Sequence, residues 1–137
     1  QGDSVQLGVY MGSDDEYIAL GEANTTFTEI GIAKTPKGPQ CYRFSAQDAN
    51  KHNSELMSES EYELAIDVDG NKTIYELSIP WESLLPDGIS PKANSRRGFS
   101  FLVNDNDGAG RRGWIEYRSG IGEAKDVRLF GTLKFVK

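Results

Sequence analysis

Residues 104–117 carry the densest group of side chains that could bind a ligand. The segment opens with four consecutive oxygen-bearing side chains, and its charged and aromatic members follow closely: Asn104, Asp105, Asn106, Asp107, Arg111, Arg112, Trp114, Glu116 and Tyr117. Carboxylates and amides accept hydrogen bonds or bind a hard cation, arginine donates through a planar fork, and aromatic rings offer flat apolar faces. Together these are groups with which a protein can hold a sugar.

Trp114 and Tyr117 are the candidate platforms for a sugar ring, because the C–H groups on one face of a sugar stack on aromatic rings. Side chains alternate along a strand, so Trp114, Glu116 and Arg118 should share one face, and Ile115 and Tyr117 the other. We therefore expect Ile115 to point into the core and Trp114 to stand on an open face. The alternative for either ring is that it is buried in the core and does not contact a sugar.

The polar neighbours of these rings are candidate sugar contacts. Asn104, Arg111 and Arg112 can donate hydrogen bonds to hydroxyl groups, and Glu116 can accept one. Two alternatives stay open at this stage. One of the arginines could pair with a nearby aspartate and shape the loop, and Glu116 could be an ordinary exposed strand residue.

Asp105 and Asp107 are the candidate metal ligands, with calcium as the ion. Calcium takes roughly six to eight oxygen ligands, often from flexible loops. The spacing of these aspartates does not match an EF-hand loop, so more distant oxygens would be needed, for example from Asp3 or Asp126. The alternative is that both side chains cap a tight turn.

The elements that position this segment have a period of two, which is typical of strands with one buried face. Alternating runs predict strands over residues 5–9, 61–68, 73–79, 99–103 and 132–136. Asp69-Gly70-Asn71 predicts a hairpin between the second and third of these. Residues 81–85 favour a short helical turn, and residues 46–60 favour a loop that could contain one helical turn. Many short strands with regular turns predict an all-β fold, an antiparallel β-sandwich of the jelly-roll or immunoglobulin type.

Composition and charge narrow the function classes. The chain has 137 residues, which we interpret as a single domain over residues 1–137, and a net charge of -6. Phosphate backbones and anionic membrane surfaces attract basic proteins, so neither nucleic acid nor a membrane is expected as a partner. The only cysteine, Cys41, lies in a strand-like run and predicts an apolar packing role. The sequence does not begin with Met, and we expect a piece excised from a larger secreted protein.

Four segments resemble family 9 carbohydrate-binding modules and their DOMON-like relatives. They are residues 3–7 (DSVQL), 75–84 (YELSIPWESL), 104–112 (NDNDGAGRR) and 125–133 (KDVRLFGTL), in the order that the family shows. The resemblance implies a β-sandwich that binds glycans and is attached to secreted enzymes or surface proteins. It also implies that aromatic side chains flank the sugar, that polar groups fix its hydroxyls, and that calcium stiffens loops.

The chain departs from the family pattern in two places. The segment similar to residues 3–7 normally follows several earlier strands, so we expect the first strands to be missing, either by truncation or because the chain is a shorter variant. A missing strand exposes a sheet edge, which predicts self-association through that edge or pairing with a missing N-terminal segment. Val127 stands where the family often has proline, and we expect this to change little.

The predicted function is therefore a non-catalytic carbohydrate-binding module for a cellulose-type or xylan-type polysaccharide or oligosaccharide, secreted or on the cell surface. A structural or interaction β-sandwich that binds no sugar is the main alternative. A haem-binding relative is a third, using His52 with Met11 or Met57. Catalysis is not expected, because no nucleophile elbow, phosphate loop or zinc pattern occurs. Tyr10, Tyr17 and Tyr42 could add to a binding face.

Overall fold

The computed structural model describes residues 2–10, 12, 26–48, 50–85 and 90–136. Within these ranges the strands are β1 Ser4–Tyr10, β2 Thr28–Thr35, β3 Gly38–Ser45, β4 Glu55–Leu56, β5 Glu63–Asp69, β6 Lys72–Ser78, β7 Arg96–Asp105, β8 Gly113–Tyr117 and β9 Gly131–Lys134. One helical turn, α1, covers Trp81–Leu84, and 3₁₀ turns cover Glu59–Glu61 and Val127–Leu129.

The larger of the two sheets is antiparallel and runs in the order β4-β3-β2-β1-β7-β8. β7 is long enough to pair with two strands along its outer edge. Its residues 101–105 pair with β8, and its residues 96–99 pair with β9. The outer edge of β7 is therefore filled by two short strands placed end to end.

The smaller sheet is the hairpin of β5 and β6, as the turn residues predict. Asp69 pairs with Lys72, and Gly70 has a φ of 60° at the first of the two turn positions. That left-handed conformation suits a type II′ turn and favours glycine. The hairpin lies on one face of the large sheet, with β5 against β3, and the Tyr75 hydroxyl donates to the carbonyl of Asp3 before β1.

The two faces of the large sheet carry separate hydrophobic cores. The hairpin covers one core, whose buried members are Val5, Ile30, Ile32, Cys41 and Met57. The other core is on the opposite face and contains Tyr10, Phe27, Leu102, Ile121, Val127 and Phe130. Residues 119–130, which we call the covering segment, close only one end of this second face. The fold is thus an all-β sandwich with a helical turn at Trp81–Leu84. The predicted fold class and the predicted helical turn over residues 81–85 are both confirmed.

Close approach at Gly8 shows how the covering segment sits on the sheet. A Cβ atom at Gly8 would lie 2.7 Å from the ring of Phe130 and 3.0 Å from the side chain of Ile121. Phe130 in turn packs edge-on against Phe27, with ring centroids 5.0 Å apart. The bare backbone of Gly8 therefore lets these two apolar side chains reach the sheet.

Two details of the sequence-based interpretation need correction. Residues 46–60 contain a short strand, β4, which the loop prediction lacks, whereas the start of a 3₁₀ turn at Glu59 agrees with the one helical turn that it allowed. Ile115 does not point into a core, because 79% of its surface is exposed. Its strand alternates as predicted, but the hairpin lies over the β1 to β3 side of the sheet and leaves the same face of β8 uncovered.

Cys41 is completely buried, as its packing role requires. Its Sγ atom lies 3.3 Å from Sδ of Met57. Burial raises the pKa of the Cys41 thiol to about 12, so the nucleophilic thiolate form is suppressed at neutral pH. Among the residues described, no helix is long and apolar enough to cross a membrane.

Candidate functional site

The end of the second face that the covering segment leaves free is the candidate site, and we call it the open face. Side chains from four strands of the large sheet, β3, β1, β7 and β8, meet on it: Ser4, Gln6, Gln40, Tyr42, Phe44, Asn104 and Trp114. Register places Trp114 beside Asn104, and Asn104 beside Ser4. Polar groups therefore occupy the middle of the open face, and aromatic rings lie toward its two sides.

Trp114 is the aromatic group on the β8 side, and 37% of its surface is exposed. The Arg111 guanidinium lies over its ring, with Cζ 4.6 Å from the ring centroid. Gly122 of the covering segment approaches its edge so closely that a Cβ atom there would be 2.5 Å from Nε1. Both contacts restrain the ring, and the part of its surface that Arg111 and Gly122 leave uncovered stays open to a ligand.

Asn104 connects the indole to the middle of the sheet. Its side-chain amide donates to Oγ of Ser4 at 3.2 Å and to Oε1 of Gln6 at 3.5 Å. Its Oδ1 atom accepts from Nη1 of Arg111 at 3.4 Å. Asn104 is buried, so these partners satisfy an amide that water cannot reach freely. The result is a chain of hydrogen bonds from Arg111 to Gln6.

Glu116 neighbours Trp114 on the same face but has a local partner. Its Oε1 atom accepts from the backbone N–H groups of Ile121 and Gly122, at 3.0 and 3.1 Å. These bonds hold the covering segment against β8 and so set the position of Gly122 against the indole. Glu116 therefore positions the neighbouring ring instead of offering a free carboxylate.

The β3 side of the open face carries Tyr42 and Phe44. Their ring centroids are 5.0 Å apart, and Phe44 is 40% exposed. Phe44 lies over Gly31 of β2, where a Cβ atom would be 2.6 Å from the ring. Tyr42 was a candidate at the sequence level, whereas Phe44 was missed. The alternation of Gln40, Tyr42 and Phe44 in one strand was the available signal.

A half-buried ion pair borders the open face next to Phe44. Nζ of Lys125, in the covering segment, lies 2.8 and 2.6 Å from the two carboxylate oxygens of Glu29 on β2. Glu29 is buried and Lys125 is about half exposed. The charge of Glu29 is thus compensated, and the pair ties the covering segment to β2.

Two of the predicted site residues lie away from the open face. Tyr117 is on the opposite side of the sheet, where its ring stacks on Phe101 at a centroid distance of 5.4 Å. Arg112 forms an exposed ion pair with Asp107 in the loop before β8. Arg112 is therefore the arginine that pairs with a loop aspartate, which was one of the two alternatives. Arg111 instead lies over Trp114.

The two candidate calcium ligands belong to this same loop. Asp107 is engaged by Arg112, and the Asp105 carbonyl accepts from the Arg112 N–H at 2.9 Å. The Asp3 carboxylate accepts from the backbone of Asn106 at 3.0 Å. Within the described ranges, no three His, Cys, Asp or Glu side chains are grouped to hold a metal ion. A calcium ion here would compete with Arg112 for the carboxylate of Asp107, and calcium binding stays a prediction.

The candidate haem ligands and the other candidate tyrosines do not lie on the open face in the part of the chain that the structure describes. His52 is exposed, Met57 is buried against Cys41, and Met11 lies outside the described residues. Tyr10 is buried in the core under the covering segment, and Tyr17 also lies outside the described residues.

A β-sandwich with an open sheet face, on which exposed rings border hydrogen-bonding side chains, is typical of a carbohydrate-binding module. The family model described as carbohydrate family 9 binding domain-like matches residues 23–137, and the chain belongs to this family. Three of the four resembling segments lie inside the match, and residues 3–7 precede it. No curated protein matches the chain. Membership indicates a carbohydrate-binding domain from a family that is usually non-catalytic.

Proposed function

We propose that this chain is a non-catalytic module that binds a cellulose-type or xylan-type polysaccharide or oligosaccharide on its open face. One observation carries the proposal. The exposed ring of Trp114 is held beside Arg111 and Asn104 at the end of a continuous chain of hydrogen bonds. A sugar ring offers both an apolar C–H face and polar hydroxyls, and this arrangement can meet both.

The restraint of these side chains favours binding. Association costs free energy whenever a mobile side chain must be immobilised, about 0.5–1.5 kcal/mol for each one. Asn104 is already fixed by Ser4 and Gln6, and Trp114 is held between Arg111 and Gly122. Little further ordering is needed when a sugar arrives, so more of the contact energy contributes to affinity.

The two glutamates at this site support binding without catalysis. Glycoside cleavage uses two carboxyl groups that flank the scissile bond, one as acid and one as base or nucleophile. Glu116 is occupied by two backbone N–H groups, and Glu29 is buried in its pair with Lys125. Both have structural tasks on the covering segment, so neither is available as a mobile proton carrier.

In the proposed role, the module is attached to a secreted enzyme that degrades polysaccharides, or to a cell-surface protein. Tethering raises the local concentration of the substrate near the attached domain and makes or breaks no bond. Such a task places the protein outside the cell, where polysaccharides of this type are found.

The test is binding to insoluble cellulose and xylan and, by calorimetry, to soluble oligosaccharides, with Trp114→Ala as the variant. We expect an affinity loss of about tenfold or more, which corresponds to roughly 1.4 kcal/mol or more. Trp81→Ala is the matched control, because Trp81 is similarly exposed but packs against Phe135. Absence of binding by the wild type, or equal losses in both variants, would contradict the proposal. Release of reducing sugar would instead reveal an enzyme.

A specific observation also favours the second candidate, an interaction module. Ile115 and Tyr117 on β8, and Leu133 on β9, are exposed on the face of the large sheet that carries the hairpin. Among the described residues, β6 pairs only with β5, so one of its edges is free. Exposed edges and apolar patches favour association with another chain. Light scattering at high concentration tests this, and a strictly monomeric protein would count against it.

A further inference from the structure

The open face has aromatic groups on both sides, and the distance between them is informative. Trp114 is on β8 and Tyr42 is on β3, with β7, β1 and β2 between them. Adjacent strands are about 4.8 Å apart, so these two strands are separated by four spacings, or about 19 Å. A single sugar ring cannot touch platforms so far apart, whereas several linked rings can.

The β3 side has its own means of holding a sugar. Phe44 exposes its ring above the bare backbone of Gly31, and Tyr42 packs beside it. A shallow groove of about 280 Å³ follows these rings and is lined by the polar side chains of Ser4, Gln6 and Gln40. Amide and hydroxyl groups again lie next to aromatic surface, as they do around Trp114.

Gln6 makes the two sides into one continuous surface. Its Oε1 atom accepts from Asn104 toward Trp114, and its side chain also lines the groove beside Phe44. A second groove on the other side of Phe44 likewise includes Gln6 and extends to Lys125. A ligand lying across the strands would therefore meet hydrogen-bonding groups along its whole length.

The open face has no end wall in the part of the chain that the structure describes. On one side it ends at β8, an edge strand of the sheet. On the other it ends at β4, which has only two residues, with Leu56 largely exposed beside Tyr42. The covering segment borders the surface along its length. This shape accepts a chain that continues past both edges.

We infer that Tyr42 and Phe44 form a second aromatic platform, and that the open face binds interior segments of an extended polysaccharide across the strands. The inference rests on the proposed function and makes it more specific. Trp114 and the Tyr42–Phe44 pair contact different sugar units of the same chain. Ser4 and Gln6 bind the hydroxyls of the units between them, and Asn104 holds these two side chains in position.

Calorimetry with a series of β-linked glucose or xylose oligosaccharides tests the inference. We expect a hexasaccharide to bind about tenfold or more tightly than a disaccharide, because it reaches both platforms. Chemical reduction of its terminal sugar should not change its affinity, since an interior site does not read the chain end. Phe44→Ala and Tyr42→Ala should weaken hexasaccharide binding toward the disaccharide level of the wild type. Tyr117→Ala, on the opposite face, is the control and should bind both ligands as the wild type does.

NMR of the wild type keeps the test independent of the variants' folding. The hexasaccharide should perturb the amides of residues 40–44 and 114–116, and the disaccharide should perturb only one of these groups. Equal affinity for the two lengths, or loss of binding on terminal reduction, would overturn the inference and leave the proposed function standing. If no oligosaccharide binds at any length, the proposed function itself fails.

Discussion

Arg111 joins the aromatic and polar halves of the binding surface around Trp114. Its guanidinium lies 4.6 Å from the centroid of the indole and also donates to Oδ1 of Asn104 at 3.4 Å. Arginine suits this position because its planar group stacks on a ring while its N–H groups still donate in the plane. Ring orientation and the Asn104 hydrogen bonds are therefore coupled through one side chain.

This coupling predicts that substitutions of Arg111 and Trp114 have non-additive effects on oligosaccharide affinity. Arg111→Ala removes a cation–π contact of about 0.5–1 kcal/mol and frees the ring, so oligosaccharide affinity should fall by roughly three- to tenfold. In the Trp114→Ala background the same change should matter much less, because the ring it restrains is gone. Calorimetry on the two single variants and the double variant measures the difference. Strictly additive losses would show that Arg111 acts on the sugar independently of Trp114.

Substitution of Gly122 should move the Trp114 ring without changing the chemical nature of the ring. A Cβ atom at this position would be 2.5 Å from Nε1 of Trp114 and 3.0 Å from Oε2 of Glu116, so Gly122→Ala must displace the indole. We expect an affinity loss of about tenfold with little change in melting temperature. Gly113→Ala is the control, since a Cβ atom there meets nothing within 4 Å. Unchanged binding by Gly122→Ala would mean that the ring position is unimportant.

The role given to Glu116 predicts a loss of stability. Glu116→Ala removes the acceptor for the N–H groups of Ile121 and Gly122, and hydrogen bonds to a charged group contribute about 1.5–3 kcal/mol each. Because water reaches part of this site, we expect the free energy of unfolding in urea to fall by about 2 kcal/mol in total. Glu76→Ala, at an exposed strand position, should have almost no effect. Equal stability of the two variants would contradict the positioning role.

The ion pair of Arg43 with Glu61 predicts a pH dependence of stability. Burial acts to raise the pKa of Glu61, but hydrogen bonds from Arg43 and from the Ser58 backbone, with the charge of Arg43, lower it below 4.5 overall. A carboxyl group whose pKa is lower in the folded state stabilises the fold above its unfolded pKa. That contribution is lost as the pH falls through the folded pKa.

Glu61→Gln should therefore lower the melting temperature at pH 7 and flatten its decline below a pH of about 4.5. Glu59→Gln lies in the same 3₁₀ turn at an exposed position and serves as the control. If the two variants show the same pH profile as the wild type, the pair of Arg43 with Glu61 contributes nothing measurable. The measurement is thermal unfolding, followed by circular dichroism, between acid and neutral pH.

Calcium at Asp105 and Asp107 predicts a melting temperature that depends on the ion. A ligand that binds only the folded state stabilises it by about 2.7 kcal/mol at a hundredfold excess over its Kd. Excess calcium should then raise the melting temperature, and Asp105→Asn with Asp107→Asn should abolish the rise. Asp67→Asn with Asp69→Asn, in and beside the hairpin turn, is the matched control. Identical melting temperatures in calcium and in chelator would contradict the prediction that this loop binds calcium.

Local pattern was sufficient for much of the fold. The period of two, the turn at Asp69-Gly70-Asn71 and the helical turn at Trp81–Leu84 each depend on residues close together in the chain. The sequence also placed Trp114 and Ile115 on opposite faces of β8, as observed. Propensity and alternation act over a few residues, so they can be predicted without knowing the tertiary structure.

Only the tertiary structure decided which of these faces is open and what shares it. Alternation separates Trp114 from Ile115, but the extent of the hairpin determines that Ile115 remains uncovered. The partners of the indole come from remote parts of the chain: Asn104 bonds to Ser4, and Gln6 connects it to the surface beside Phe44. Pairing between distant strands depends on the packing of the whole sheet, because no local signal encodes which strand lies next to which.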